Sequence, residues 1–171
     1  MGDCTRDEHC VFCKILAGEI PAAKVYEDEE ILAFLDIAPF NYGHTLVIPK
    51  RHCHGLSDMP GESRDRLFAA AALIAPVVLR VTGATGFNLL LNNGQAAGQE
   101  VPHAHLHIIP RFVDDKVLLN APQKQYGDGE MAALQEKIQQ RLAARQAAEN
   151  QAPPHFASPW NPPPPTKRTS R

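Results

Sequence analysis

Between residues 103 and 107 the chain reads His103-Ala104-His105-Leu106-His107, three imidazoles at i, i+2 and i+4 with small or apolar residues between them. Side chains of an extended strand point alternately to its two faces. The spacing therefore predicts a strand over 103–109 with an imidazole front and an apolar back. Just before it, Gly94 and Gly98 stand among Asn92, Asn93, Gln95 and Gln99, a composition suited to a loop whose amides approach an anion closely. An anion-binding loop feeding a row of imidazoles points to chemistry on a phosphate. A zinc site built from a His-x-His pair is the competing reading, with one histidine shared between the two roles.

The rest of the pattern must supply a sheet for that strand to join. Lys24-Val25-Tyr26 reads as a short strand. Ile31 to Asp36 is a stronger one, with Leu32, Phe34 and Asp36 on one face and Ile31, Ala33 and Leu35 on the other. His44 to Ile48 is a third, stopped by Pro49, and Phe87 to Asn92 a fourth. A short helical turn covers 14–17, ended by Gly18. A longer helix is expected over 62–81, where Leu67, Ala71, Ile74, Val78 and Val81 form one stripe. Asp58 and Pro60 supply its start signals and Pro76 a kink. A last amphipathic helix is expected over 128–147, marked by Met131, Leu134, Ile138 and Leu142. The links between the first three strands are too short for parallel crossovers. The expectation is an α+β domain with a five-stranded antiparallel sheet and helices packed on one face.

Domain limits follow from a change of character near the end. Residues 1–147 form the expected domain, with its motifs concentrated in 10–112. The segment 148–171 is proline-rich, including Pro162 to Pro165, and reads as an extended tail that packs no core.

A net charge of −2 over 171 residues gives no general attraction to nucleic acid or to anionic membranes, so neither is an expected partner. No apolar stretch reaches the length of a membrane span, and residues 1–10 lack the apolar core of a signal peptide. With four cysteines and no export signal, a reducing cytoplasm is expected, where thiols and metal ligands outnumber disulfides.

Four blocks in one order carry a resemblance. His103-Ala104-His105-Leu106-His107-Ile108-Ile109 resembles the signature of the histidine-triad (HIT) superfamily. Ile31 to Ile37, His44 to Lys50 and Gly98-Gln99-x-Val101 are similar to the corresponding blocks of its nucleotide hydrolases. His107, where the nucleotide-transferring branch usually has Gln, places the likeness with the hydrolases. The opening Cys10-x-x-Cys13 and Ile48 to His52 look most like small bacterial members.

Chemistry on a phosphorus atom needs a nucleophile, donors for the non-bridging oxygens and a proton for the leaving group. Neutral imidazole is a competent nucleophile near pH 7 when its far nitrogen holds the proton, and His105, in the middle, is best placed. The resemblance implies that His105 attacks the α-phosphorus and is transiently nucleotidylated, with His107, His44 and His103 completing the catalytic group. It implies that Asp36 holds the ribose hydroxyls and that Phe12, Phe34 and Ile37 enclose base and ribose. Asn92, Gly98, Gln99 and Glu100 then lie near the phosphate. Glu100 departs from the Ser or Thr usual in the family; a carboxylate there repels a phosphate, so its side chain is expected to turn outward.

The implied activity is hydrolysis of purine nucleoside phosphoramidates or related AMP- or GMP-containing conjugates, releasing the monophosphate. Hydrolysis of dinucleoside polyphosphates and non-catalytic nucleotide or metal binding are the alternatives. A homodimer with its two sheets joined is also implied, and no metal is needed for the chemistry. The Cys10–Cys13 spacing lets two thiolates share one tetrahedral ion. By resemblance, His52 and His103 complete a structural zinc site. A redox pair, two unrelated thiols, or His54 or His9 as a ligand remain open on the residues alone.

Overall fold

A computed structural model describes residues 6–117 and 125–149; the proline-rich segment expected to be a tail lies outside them from residue 150 on. The chain forms a short helix α1 (Val11–Leu16), then strands β1 (Lys24–Glu27), β2 (Ile31–Leu35) and β3 (Thr45–Pro49). The long helix α2 (Gly61–Thr82) follows, then β4 (Gly86–Leu90), a single 3-10 turn at Gln95–Ala97, β5 (Leu106–Arg111) and helix α3 (Glu130–Glu149). The five strands lie in the order β1-β2-β3-β5-β4, every neighbouring pair antiparallel.

The alternation in β2 is the key to the packing. Ile31, Ala33 and Leu35 join a core with Val47, Leu106, Ile108 and the inner faces of α2 and α3. Leu32 and Phe34 join Leu46, Ile48, Phe12, Cys13 and Ile15 in a second core on the other face. The strand is buried throughout, so both of its faces contribute apolar burial. The two long helices cover the back of the sheet, and α1 covers part of the front. The predicted α2 stripe faces the core: Leu67, Ala71, Ile74 and Val78 are fully enclosed, and Val81 at its end is partly buried. On α3 the same holds for Leu134, Ile138 and Leu142.

Several element boundaries differ from the expected ones, each for a local reason. Helix α1 begins at Val11, directly after Cys10. Helix α2 runs on through Pro76 and ends at Gly83, which adopts φ 76°. Asp58 does not cap α2; its carboxylate accepts the amides of His54 (2.8 Å) and Gly55 (2.8 Å) instead. Gly43 is required by two constraints at once: it has φ +84°, and a Cβ there would stand 2.6 Å from Thr82 Cγ2. This close approach holds the loop before β3 against the end of α2. Among the described residues, no helix is long and apolar enough to cross a membrane.

The imidazole strand is also shorter than its alternation suggests. Strand β5 starts at Leu106, so His103 and His105 lie in an irregular lead-in. Pairing with β3 stops at Val47↔Leu106 because the next groups are engaged elsewhere. The Pro49 carbonyl is met by His103 Nε2 at 2.9 Å, and the Ala104 amide donates to Cys53 O at 2.6 Å.

Candidate active site and Cys/His cluster

Two groups of side chains occupy the front of the sheet. The first gathers Cys10, Cys13, His52 and His103, all buried, with one possible ligand atom from each lying within 4.8 Å of the others. Cys13 Sγ is 3.3 Å from His52 Nδ1 and 3.7 Å from His103 Nδ1; Cys10 Sγ is 3.5 Å from His103 Nδ1. A tetrahedral zinc with usual bond lengths sets sulfur and nitrogen ligands roughly 3.6 Å apart, so the spacing fits that ion. The tautomer fits as well. His103 Nε2–H donates to the Pro49 carbonyl, which leaves the Nδ1 lone pair facing the thiols. Burial is the main cause that pushes His103 down to about 4 and lowers His52, so both rings are neutral at pH 7. Burial also raises the Cys13 thiol; a bound cation would reverse that preference.

The second group is His105, His107, His44 and Asp36. His105 Nδ1–H donates to the carbonyl of His103 at 2.7 Å, so the Nε2 lone pair is free. The amide of Phe40 donates to His44 Nδ1 (3.2 Å), which assigns the His44 proton to Nε2. From there it is donated to His107 Nδ1 at 2.9 Å. His107 must then carry its own proton on Nε2, a buried atom with no partner. Asp36 Oδ2 approaches His44 Nδ1 to 3.3 Å while Oδ1 accepts the Ala38 amide. Burial pushes both His44 and His107 down to about 3, with neighbouring imidazoles adding to the effect. His105 is lowered by burial, against the His103 carbonyl and the charges of Asp36 and Glu100.

His105 and His107 form one wall of a cavity of about 340 Å³, within the usual range of ligand sites. Asp36 and Asn92 also line it, and Phe12, Phe34 and the largely exposed Ile37 (79 %) form apolar walls. Phe12 packs edge-on against Phe34 at 5.6 Å and against His105 at 5.3 Å. Gly98 and Glu100 lie at the cavity's edge. Gly98 has φ +84° and its carbonyl accepts Asn92 Nδ2. Three candidates stand apart from this cavity, the first being His44, which is fully buried and reaches it only through His107. His103 belongs to the cysteine cluster. Gln99 turns away, accepting the Gly94 amide at 2.7 Å and donating to the His54 carbonyl at 2.6 Å. The sequence reading missed Phe40, whose amide sets the His44 tautomer; it sits in an irregular loop with no periodicity to single it out.

The arrangement has known relatives. The HIT domain profile matches residues 17–114. An uncharacterised HIT-like protein of Methanocaldococcus jannaschii is 52 % identical over 106 residues, covering 62 % of this chain and 81 % of its own. The adenosine 5'-monophosphoramidase hnt1 of Schizosaccharomyces pombe is 42 % identical over 137 residues, covering 78 % of this chain and 98 % of its own. Among solved structures, a Zn-bound histidine triad family protein from Mycobacterium smegmatis superposes with a TM-score of 0.74 at 40 % identity, covering 82 % of this chain and 97 % of that one. With a matching profile over more than half its length, and with this sheet, the chain belongs to the HIT family.

Proposed function

We propose that this protein hydrolyses purine nucleoside 5'-phosphoramidates, AMP conjugates first among them, through a covalent nucleotidyl-His105 intermediate. The observation that carries the reading is the His105 tautomer: Nδ1–H is tied to the His103 carbonyl, and Nε2 is a lone pair beside a nucleotide-sized cavity. Nε2 attacks the α-phosphorus, the P–N bond breaks, and the leaving nitrogen takes up a proton and departs as the amine. Water then attacks the phosphorus of the adduct, releasing the monophosphate and restoring Nε2. His107 Nε2–H, supported by His44, donates to an oxygen of the phosphoryl group. Asp36 accepts from the ribose hydroxyls, and Phe12, Phe34 and Ile37 enclose the base. The name of the fission-yeast relative, an adenosine 5'-monophosphoramidase, supports the choice of substrate.

Zinc held by Cys10, Cys13, His52 and His103 plays a structural part in this reading, pinning α1 and with it Phe12 to the sheet. The Zn-bound relative supports that choice of metal. A homodimer fits β4, an edge strand with Phe87 and Leu89 each 42 % exposed, since an apolar edge of this kind invites pairing with a second copy.

The deciding experiment is a rapidly quenched reaction with an AMP phosphoramidate. Wild-type protein is expected to carry one nucleotidyl group on His105, mapped by peptide mass spectrometry. His105→Ala is expected to carry none and to lose at least about 1,000-fold in kcat/KM. Near-normal turnover by that variant would overturn the assignment.

A further inference from the structure

A second, larger space lies next to the cavity beside His105. A cleft of about 1010 Å³ lies between the 54–58 loop and the 93–100 loop, and it shares Gly98 and Glu100 with the inner cavity as common walls. The nucleotide reading above fills only the inner part. The group bonded to phosphorus opposite the nucleoside needs room beyond that inner part, and Gly98 and Glu100, common to both linings, border any route between the two spaces.

The charge of that route is one-sided. Asp58 and Glu100 line the cleft with His54, Ser57 and Gln95, and among the described residues neither cavity has a Lys or Arg in its wall. Burial works against ionisation of Asp58, but the amides of Gly55 and His54 hold it below the usual carboxylate range, so it is charged at neutral pH. Glu100 is exposed and stands where both spaces meet, close enough for its charge to act on the His105 ring. In the same inner wall, His107 Nε2 is buried, with its residue only 8 % exposed, and has no partner. In the tautomer set by His44, that nitrogen is a donor available to a phosphoryl oxygen, in a residue far more buried than Glu100. A polyphosphate leaving group would meet two carboxylates and no cationic side chain.

We propose that the cleft is the leaving-group site and that Glu100 is a specificity determinant, selecting phosphoramidates whose amine carries a second, positively charged group. The inference rests on the hydrolase reading and sharpens it. The scissile bond is P–N in every case; the distal charge changes only how the amine is held as the bond breaks, so the selection is electrostatic and weakens with added salt.

Three AMP conjugates of matched length test it, with AMP joined through nitrogen to 1,4-diaminobutane, to n-butylamine, or to 4-aminobutanoate. Their distal ends are an ammonium, a methyl group and a carboxylate. Wild-type kcat/KM, measured as AMP release, is expected to favour the ammonium over the carboxylate by about tenfold, with butylamine between. Glu100→Gln is expected to shrink that ratio to about threefold or less, and Glu100→Arg to reverse it. Equal kcat/KM for the three conjugates, or an unchanged ratio in Glu100→Gln, overturns the leaving-group inference and leaves the hydrolase reading standing. No turnover of any conjugate overturns both.

Discussion

His103 and His105 are two residues apart, both buried and both held neutral, yet they present opposite ring nitrogens to their surroundings. At His103, Nε2–H is donated to Pro49 across the sheet and Nδ1 faces two thiols and His52 in a closed cluster. At His105, Nδ1–H is donated to the carbonyl of His103 itself and Nε2 is left for the cavity. The residue type is the same, and the acceptor on the far nitrogen decides the role. Phe12 is the wall between the two ends. Its ring meets His103 at 5.8 Å and His105 at 5.3 Å, and it sits in sequence between Cys10 and Cys13.

If the two ends are separate devices, a substitution at one leaves the readout of the other in place. His105→Ala, expected to lose turnover, is also expected to retain the proposed zinc and a melting temperature within about 3 °C of wild type. The converse change is the next largest in effect. Cys10→Ala with Cys13→Ala is expected to abolish zinc in elemental analysis and to destabilise the fold by on the order of 3 kcal/mol, a fall in Tm of about 10 °C. His105 should still be nucleotidylated in the quenched reaction, at a reduced rate because Phe12 is no longer pinned. Loss of the adduct together with the zinc, in protein that remains folded, would show one device rather than two.

Acid separates the ends in a different way. His44 and His107 are pushed to about 3 in the fold, against about 6.5 for an unperturbed histidine. Between those values the unfolded chain binds more protons than the native one, so stability rises with pH. The contribution is complete above pH 6.5 and is lost as pH falls towards 3. The two rings share one hydrogen bond and both stay neutral in the fold over this range, so a loss of about 3 kcal/mol is expected between pH 6.5 and 5. His44→Gln is expected to remove about half of that dependence. The Cys/His cluster is the same in both proteins and cancels in the difference, which thermal melts at pH 7 and pH 5 measure. An identical pH slope would mean that His44 is not the buried neutral ring described above.

Where the sequence was legible, a repeating side-chain pattern coincided with a repeating backbone. The alternation in β2 and the stripe on α2 reappear as the two faces of the sheet and the buried side of the helix, because burial selects one residue in two or one in three to four. Legibility failed where the backbone is irregular. His103 and His105 keep the alternation of a strand although their amides and carbonyls have left the ladder, and from spacing alone the two cases look alike. Asp58 has the position of a helix cap but satisfies loop amides that lie nearer. The Cys10-x-x-Cys13 spacing gave two members of the cluster; His52 and His103 came from resemblance, since no local pattern links residues 39 and 90 positions away from Cys13. The cleft between the 54–58 and 93–100 loops left no trace in the pattern, because neither loop has a period.

Gln99 gives the smallest effect and the finest test of how the front of the sheet is divided. Family resemblance sets it beside the phosphate, yet its side chain is fully engaged elsewhere, receiving the Gly94 amide and donating to the His54 carbonyl. It acts as a strut between the two loops that form the outer cleft. Both backbone groups it bonds are in exposed residues, so water replaces the side chain when it is removed and the cost stays near 1 kcal/mol. Gln99→Ala is therefore expected to lower Tm by about 2–4 °C. It should also reduce kcat/KM for an AMP phosphoramidate a few-fold, because the leaving group meets a looser cleft. The inhibition constant of AMP, which fills only the inner cavity, should stay within about twofold of wild type. A direct bond from Gln99 to the phosphate would instead raise that constant about tenfold, the usual cost of losing a hydrogen bond to a charged group. Competitive inhibition by AMP thus distinguishes a strut between loops from a ligand of the phosphate.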